Sequence, residues 1–373
     1  MMISKRVLSL NPYVPGEQPK DRPYIKINAN ENPYPPSKKV FAAIKKYLKK
    51  DKKSLARYPD PESHALKRAI AKMLNETRGF LSATEMSPSL EIKPEMIFCG
   101  NGSDEVLSFV YYAFFGSDHP LVAPEYTYSF YPVYASYYDI ELKKIPLKED
   151  FHLDTKKMLE FAQNNAVSGM IFANPNAPTS LALSTDEIRS MLLVYPKEKV
   201  FVVDEAYVDF SDETALTLLS EFQNLVIIRT FSKSFSFAGM RLGYAVANPN
   251  LIEALTRVKN SFNHFPVDCI TQEAGIASCE DVGYYKKTAM RIKNTRQFCV
   301  EKMRELGWFC FSSETNFILA KKEGYAGKDL YEKIKSKGFL VRHFASLLVQ
   351  DYVRITVGSE KEMAVFLELI KDF

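Results

Sequence analysis

Four side chains that could take part in chemistry follow four apolar segments of strand length. In chain order they are Tyr126, Asn176, Asp204 and Lys233. A lysine at the end of a buried strand can form an imine with a carbonyl compound, and in open α/β sheets ligands bind beyond the carboxyl ends of the strands. Taken singly, these side chains also have ordinary interpretations as a core tyrosine, a turn asparagine, a helix-capping or ion-paired aspartate and a surface lysine. Together, an aromatic ring, an amide, a carboxylate and a lysine predict one site for a flat, reactive ligand.

A glycine-containing segment, Gly100–Glu105, predicts an anion site next to them. It follows another apolar run and opens a helix, so its backbone can approach an anion and its free amides can bind it. A dinucleotide loop is the weaker interpretation, because Glu105 occupies the place of the third glycine. Arg241, eight residues after Lys233, can bring a guanidinium to the same phosphate. An imine-forming lysine, a carboxylate for a ring nitrogen and a phosphate cradle are what pyridoxal 5′-phosphate (PLP) requires.

The elements that position these residues alternate between strand and helix. We predict strands at 96–99, 121–123, 141–145, 169–173, 200–203, 225–229 and 242–247, with helices near 103–115, 127–138, 154–164, 184–195 and 214–222. Such alternation favours an α/β fold with a mostly parallel sheet covered by helices on both faces. Ser184 and Glu187 form a capping-box pattern that opens one of the helices.

The pattern changes after about residue 250, which predicts a second, smaller domain. Residues 251–306 are almost continuously helical in period, and an α+β tail follows with strands at 316–320, 339–341 and 353–357 and a helix at 359–371. Seven prolines before residue 37 exclude regular structure there, so we expect an extended arm. The predicted organisation is an N-terminal arm at 1–36, a large cofactor-binding domain at 37–255 and a small domain at 256–373.

Composition excludes several classes of protein. A net charge of +4 over 373 residues gives no argument for a nucleic-acid partner, and the proline-rich arm is too short for a helix-turn-helix. A purely structural α/β protein would not need the set of cofactor-binding residues. The five cysteines and five histidines show no ligand spacing, so we predict no metal site, reduced thiols and a cytoplasmic protein. No apolar run reaches the roughly 18 residues of a membrane span, and the lysines between 38 and 53 are typical of the polar face of an amphipathic helix.

At this point the sequence resembles the fold-type I PLP-dependent aminotransferases, within the class I and II superfamily. The spacings of 28 residues from Asn176 to Asp204, 3 from Asp204 to Tyr207 and 8 from Lys233 to Arg241 agree with the aspartate aminotransferase pattern. The resemblance covers essentially the whole chain and narrows to the histidinol-phosphate aminotransferase branch. The segments that carry this likeness are 11–16, 28–33, 57–60, 204–207, 313–319 and 353–358.

The resemblance implies a three-layer large domain with a seven-stranded sheet, a homodimer with shared active sites, and a role for each site residue. Lys233 would form the Schiff base and shuttle the proton, Asp204 would pair with the ring nitrogen, and Tyr207 and Asn176 would bind the phenolic oxygen while Tyr126 stacks on the ring. The residues implied to hold the cofactor phosphate are Gly102, Ser103, Asp104, Glu105, Thr230, Ser232, Arg241 and, from the neighbouring subunit, Tyr58. The residues implied to bind the substrate are Arg354 for the α-carboxylate of glutamate, Arg342 and Tyr13 (the latter from the partner chain) for a distal anion, and Asn30.

The implied reaction is transamination between glutamate or 2-oxoglutarate and a phosphorylated amine or ketone, with histidinol phosphate and imidazole-acetol phosphate as the first pair. The chain reads Asn-Pro-Asn-Ala-Pro-Thr-Ser at 174–180, where the family usually has Asn-Pro-Asn-Asn-Pro-Thr-Gly. Ala177 and Ser180 therefore alter the wall beside the substrate. A different small phosphorylated amine and ketone, such as a dihydroxyacetone-phosphate-like acceptor, would satisfy the two arginines as well. A PLP decarboxylase of an amino-acid phosphate ranks third, and release of carbon dioxide without a keto acceptor would identify it.

Overall fold

The computed structural model describes residues 2–77 and 90–373. In these residues the strands are β1 (Ile25–Lys26), β2 (Ile97–Asn101), β3 (Leu121–Pro124), β4 (Leu142–Ile145), β5 (Gly169–Ala173), β6 (Val200–Asp204), β7 (Leu225–Thr230), β8 (Leu242–Ala247), β9 (Trp308–Cys310), β10 (Phe317–Lys322), β11 (Phe339–Leu340), β12 (Arg342–His343) and β13 (Val353–Thr356). The α-helices are α1 (Lys5–Leu8), α2 (Lys38–Lys50), α3 (His64–Thr77), α4 (Gly102–Phe114), α5 (Tyr131–Tyr137), α6 (Thr155–Asn164), α7 (Thr185–Val194), α8 (Pro249–Phe262), α9 (Cys269–Cys279), α10 (Val282–Glu305), α11 (Gly327–Ser336) and α12 (Glu360–Leu369).

Seven strands form the main sheet in the order β2-β8-β7-β6-β5-β3-β4, and only β8 runs antiparallel to its neighbours. The prediction of a mostly parallel seven-stranded sheet is confirmed. Strands β5 and β7 are buried along their whole length, as expected of parallel strands covered on both faces. Because β3, β5, β6 and β7 are parallel, their carboxyl ends lie along one edge of the sheet.

Alternate residues of the central strands face two separate apolar clusters. Ile171 and Val202 pack in a cluster with helices α4, α5 and α8, whereas Phe172 and Val203 face a larger cluster that contains helices α3, α7 and α9. Side chains of successive strand residues point to opposite faces of a sheet, so a continuous apolar run fills both sides. This arrangement gives the three layers of helix, sheet and helix.

A second sheet lies near the C-terminus, with the antiparallel order β12-β13-β10-β9. The segment after β1 is tied to it, because Thr356 N–H donates to the Ile27 carbonyl at 2.9 Å and the Asn316 side chain donates to the Asn30 carbonyl at 3.0 Å. Strand β1 itself pairs in parallel with β11. The N-terminal segment therefore carries Asn28 and Asn30 towards this second sheet.

Several local predictions need correction. The short elements α1 and β1 occur in the arm, where no regular structure was expected, and neither contains a proline. Residues 10–20 between them form neither helix nor strand. The helix predicted at 127–138 begins only at Tyr131, and the one predicted at 214–222 is a 3₁₀ helix, Ala215–Ser220. Residues 251–306 form three helices, with a break that contains Pro266 between α8 and α9. The capping box of Ser184 and Glu187 is confirmed.

Helix α9 packs against α2 and α3 near the main sheet, so the domain boundary at 255/256 remains a prediction. Across residues 2–77 and 90–373, no helix combines the length and the apolar character needed to cross a bilayer. The same ranges contain no cluster of three potential metal-ligating side chains.

Candidate active site

Asp204 is the last residue of β6, at the carboxyl edge of the main sheet. It is 3% exposed, and its carboxylate accepts hydrogen bonds from the Tyr131 hydroxyl at 2.9 Å and from Ala206 N–H at 3.2 Å. Burial raises the pKa of this carboxyl from 3.8 to about 6, although the two hydrogen bonds work in the opposite direction. A carboxylate desolvated in this way favours a positive partner group, so Asp204 fits a protonated ring nitrogen.

Lys233 lies in the turn that follows β7. Its Nζ is 3.5 Å from the Ala29 carbonyl oxygen and 5.6 Å from the centre of the Tyr207 ring. The backbone of the turn is fixed, because the Asn32 side chain donates to the carbonyls of Lys233 and Ser234 at 2.9 and 3.1 Å. The amine can therefore move on its flexible stem while its anchor stays in place.

A network of buried polar side chains, which the sequence did not predict, lies beside this turn. The Arg229 guanidinium donates twice to Glu205 at 2.8 and 2.9 Å and once to the Thr214 hydroxyl at 2.7 Å. Arg229 and Glu205 are 3% and 1% exposed. In the same region the Ser234 hydroxyl donates to the Asp209 carboxylate. The only sequence signal was one charged residue inside an apolar strand, Arg229, and another directly after a strand, Glu205, where an unpaired buried charge would be costly.

The predicted phosphate cradle assembles at the start of α4. Gly102 has a φ of +79°, and a Cβ built on it would lie 2.5 Å from Arg241 Nη2. Arg241 also contacts the Asp104 carboxylate at 2.8 Å. The Glu105 carboxylate accepts a hydrogen bond from Asn101 N–H at 2.7 Å, and this bond ties the end of β2 to the first turn of α4. Glycine is required here because both the positive φ and the close approach of Arg241 exclude a side chain.

A cavity of about 230 Å³ opens above this cradle. Its lining contains most of the residues predicted to hold the cofactor: Ser103, Asp104, Asp204, Tyr207, Thr230, Ser232, Lys233 and Arg241. Gly102 and Glu105 lie behind this surface. Two carboxylates, a lysine, four hydroxyl side chains and an arginine, all beside a helix start, fit the ring and the phosphate of PLP.

A larger cavity of about 500 Å³ adjoins the first. It is lined by the predicted substrate residues Tyr13, Asn30, Arg342 and Arg354 and also by Tyr126. The two cavities share five lining residues, namely Ala29, Tyr128, Ala177, Tyr207 and Lys233. Lys233 thus stands at the boundary between a space that fits the cofactor and a space for a second molecule.

Arg342 and Arg354 face each other across β12 and β13, where they are direct cross-strand partners. Arg354 donates to the Asn28 carbonyl at 3.2 Å, yet its buried Nε has no partner among the described residues. Burial, together with the nearby Arg342, lowers the pKa of Arg354. Two adjacent guanidinium groups repel each other, so an anion between them would be stabilising.

Two tyrosines of the loop after β3 occupy different places in the site. Tyr126 lies in the larger cavity only, where its hydroxyl accepts a hydrogen bond from Leu348 N–H at 3.3 Å. Tyr128 lines both cavities, and its hydroxyl donates to the Asp104 carboxylate at 2.8 Å. A helix was expected from residue 127, so Tyr128 was not considered as a site residue. The helix begins at Tyr131 instead, which leaves Tyr128 in the loop after β3. Tyr128 is therefore a second candidate, beside Tyr126, for the ring that stacks on the cofactor, and the role of Tyr126 remains a prediction.

The remaining predicted residues, Asn176, Tyr207 and Tyr58, differ in their burial. Asn176 is 1% exposed; its side-chain amide donates to the Tyr126 carbonyl and the Thr179 hydroxyl, both at 3.0 Å, and its Oδ1 has no partner. That buried oxygen leaves an acceptor for a ligand hydroxyl. Tyr207 accepts a hydrogen bond from the Asn30 side chain at 2.8 Å. Tyr58 is 81% exposed, stacks on Phe265 and lines neither cavity.

Comparison with known proteins agrees with this geometry. Residues 22–370 match the family model described as aminotransferase class I and II. The chain is 44% identical to a histidinol-phosphate aminotransferase of Syntrophus aciditrophicus, with 99% of this chain and 97% of that protein aligned, and 41% identical to one of Brachyspira hyodysenteriae, with 99% and 98% aligned.

Solved structures share the fold. The histidinol-phosphate aminotransferase of Sinorhizobium meliloti in complex with pyridoxal-5′-phosphate superposes with a TM-score of 0.85 at 23% identity, covering 100% of this chain and 97% of that one. An aspartate aminotransferase of Thermus thermophilus, solved with maleate, gives a TM-score of 0.80 at 16% identity, covering 100% and 99%. The expected fold class is confirmed.

Proposed function

The chain belongs to the class I and II aminotransferase family, and from this premise we propose that it transfers an amino group between glutamate and imidazole-acetol phosphate, yielding 2-oxoglutarate and histidinol phosphate. As a member of this family it is a PLP-dependent transferase. Relatives that are 41–44% identical over 99% of this chain carry the name of that activity. The observation that carries the proposal is the position of Lys233, which borders both the cavity that fits PLP and the cavity that contains the arginine pair.

When bound, PLP supplies an aldehyde that captures amines and a ring that accepts electrons. The chain's own residues provide the remaining functions. Asp204 would hold a proton on the ring nitrogen, and Arg241, Ser232, Thr230 and the start of α4 would hold the phosphate. Once its amine is free, Lys233 would take the proton from the substrate carbon that bears the amino group; a positioned base of this kind contributes about 10²- to 10⁴-fold.

We further propose that the arginine pair binds the anions of both substrates in turn. Arg354 would take the α-carboxylate of glutamate, and Arg342 would take the distal carboxylate or the phosphate. An arginine presents a rigid fork of donors that suits both groups. Tyr13 lines the larger cavity of its own chain. A contribution of Tyr13 from a partner subunit to this cavity remains a prediction.

A homodimer is part of the proposal. Tyr58 lies on the surface outside both cavities, so a contact between Tyr58 and the cofactor phosphate would require a second copy of the chain. Mixing Lys233→Ala and Tyr58→Phe protomers would test this, since a hybrid dimer recovers one intact site. All five cysteines are free thiols, in keeping with the proposed reducing, cytoplasmic compartment.

Borohydride reduction tests the cofactor assignment. The wild-type protein loaded with PLP should retain the cofactor covalently on the peptide that contains Lys233, and Lys233→Ala should not. Lys287→Ala, at an exposed lysine outside both cavities, is the matched control. Covalent fixation that persists in Lys233→Ala would overturn the assignment.

Half-reactions then test the substrate. Histidinol phosphate and glutamate should each remove the visible absorbance of the PLP-loaded protein, and imidazole-acetol phosphate should restore it after glutamate. Ala177 lines both cavities at the position where the family usually has an asparagine. Because this difference changes the wall beside the substrate, transamination of a different phosphorylated amine is the second candidate function. A response to glutamate without a response to histidinol phosphate would favour that candidate.

A further inference from the structure

The larger cavity has an uneven distribution of charge. Five cations line it: Lys26, Lys144, Lys233, Arg342 and Arg354. Among the lining residues within 2–77 and 90–373, Glu125 is the single carboxylate. The arginine pair comes from the C-terminal sheet, whereas Glu125 follows β3 of the main sheet. The wall formed by the C-terminal sheet therefore favours anions, whereas the loop after β3 offers a carboxylate next to Lys144 of the neighbouring strand β4.

The Glu125 carboxylate is available to a ligand. Its backbone is fixed, because Glu125 N–H donates to the Ile145 carbonyl at 2.8 Å and so extends the β3–β4 ladder. The side chain is exposed, and within the part of the chain that the structure describes we find neither an ion pair nor a side-chain hydrogen bond to it. The nearby Lys26 already pairs with Glu31 at 2.9 Å. A fixed backbone with an unengaged carboxylate is suited to recognition.

Thr127 provides a second, independent observation in the same loop. Its hydroxyl is buried and has no hydrogen-bond partner among the described residues, and the residue lines the same cavity two positions after Glu125. A buried hydroxyl without a partner costs free energy, so such a group commonly has a ligand or water to bind. Tyr126 and Tyr128 on either side of Thr127 add flat aromatic surface to this wall.

We propose that Glu125 and Thr127 form the subsite that recognises the imidazole ring of the substrate, an inference that rests on the proposed function. A neutral imidazole has one N–H donor and one nitrogen acceptor. The Glu125 carboxylate accepts from the N–H, and the Thr127 hydroxyl donates to the other nitrogen. The arginine pair on the opposite wall holds the phosphate, so the substrate spans the cavity with its amine towards Lys233.

Substrate discrimination tests the subsite. With PLP-loaded protein, kcat/KM is measured for histidinol phosphate and for phenylalaninol phosphate, which has a phenyl ring in place of the imidazole. Glu125→Gln should lower kcat/KM for histidinol phosphate about 5- to 10-fold, because the glutamine amide oxygen still accepts the hydrogen bond from the imidazole N–H but lacks the negative charge that strengthens it. Thr127→Val should lower it about 3- to 10-fold. Neither variant should change the value for phenylalaninol phosphate by more than about threefold.

Direct binding separates recognition from chemistry. The dissociation constant of 3-(imidazol-4-yl)propyl phosphate, which lacks the amine and cannot react, should rise in Glu125→Gln by the same factor as kcat/KM falls. The matched control is Glu141→Gln, because Glu141 is exposed and lies outside the cavity just before β4. It should leave both substrates unaffected.

The possible failures are distinguishable. If the wild-type protein does not turn over histidinol phosphate, the proposed function is wrong and the subsite falls with it. If the wild-type protein does turn it over and Glu125→Gln keeps the ratio between the two substrates, the subsite alone is wrong. An equal loss for both substrates would also overturn it, because that result indicates a general effect on the loop.

Discussion

Replacing Asp204 with asparagine should stabilise the cofactor-free protein at neutral pH while it removes cofactor function. Burial raises the pKa of the Asp204 carboxyl from 3.8 to about 6. Because its pKa is higher in the folded than in the unfolded state, the folded protein binds this proton more tightly. The free energy of unfolding therefore falls as pH rises from about 4 to about 6, and the loss is complete above that window.

The size of the effect follows from the pKa difference and the contacts. A difference of about two in pKa corresponds to a loss of about 3 kcal/mol at pH 8. Asparagine escapes this penalty and can still accept the hydrogen bond from Tyr131. It weakens the contact with Ala206 N–H, which costs about 1 kcal/mol. The cofactor-free Asp204→Asn variant should thus be about 2 kcal/mol more stable than the wild type at pH 8, and the two should be nearly equal between about pH 4 and 5.

Urea unfolding of both proteins without PLP, at pH 4.5, 6, 7 and 8, measures this difference. Asp118→Asn, at an exposed aspartate outside both cavities, should track the wild type at every pH. Saturating PLP should reverse the order at pH 8, because a ligand stabilises most the protein that binds it more tightly. A stability difference between wild type and Asp204→Asn that does not vary with pH would refute the reasoning.

Three further substitutions test the surroundings of this site. Gly102→Ala should reduce the affinity for PLP at least about tenfold, measured by titration, because a Cβ would displace Arg241 and the positive φ would cost about 1–2 kcal/mol. Tyr131→Phe should raise the pKa of the neighbouring carboxyl further and weaken PLP binding about tenfold, seen as faster cofactor release on dilution. Glu205→Gln should lower the free energy of unfolding by about 3–5 kcal/mol in urea, since it leaves the Arg229 guanidinium buried without its charged partner. Unchanged values in these assays would contradict the contacts described above.

The cofactor half of the site could be predicted from sequence because its residues follow from the topology. Parallel strands bring their carboxyl ends to one edge, so Asp204 and Lys233 had to be close once the strands were recognised. The loop after β3 was harder, because three tyrosines occur within six residues and a shift in the helix start changes which ring faces the cofactor. Tyr126 lines only the larger cavity and Tyr128 lines both, so the choice between the two rings remains a prediction. The ion pair between Glu205 and Arg229 could not be predicted from the sequence, because its geometry depends on how the chain packs.

The residues of the larger cavity could not be predicted from the order of the parallel strands, because they come from chain segments that are remote in sequence. Arg342 and Arg354 become cross-strand partners only through the register of β12 and β13, and the Asn28 carbonyl joins them by accepting a hydrogen bond from the Arg354 side chain. Neither arginine is among the described residues that line the smaller cavity. Substitutions at Glu125 or Arg342 should accordingly change which amine reaches Lys233 without altering how PLP is held. We therefore expect cofactor chemistry and substrate choice to be separable in this fold, with Lys233 at the boundary of the two cavities.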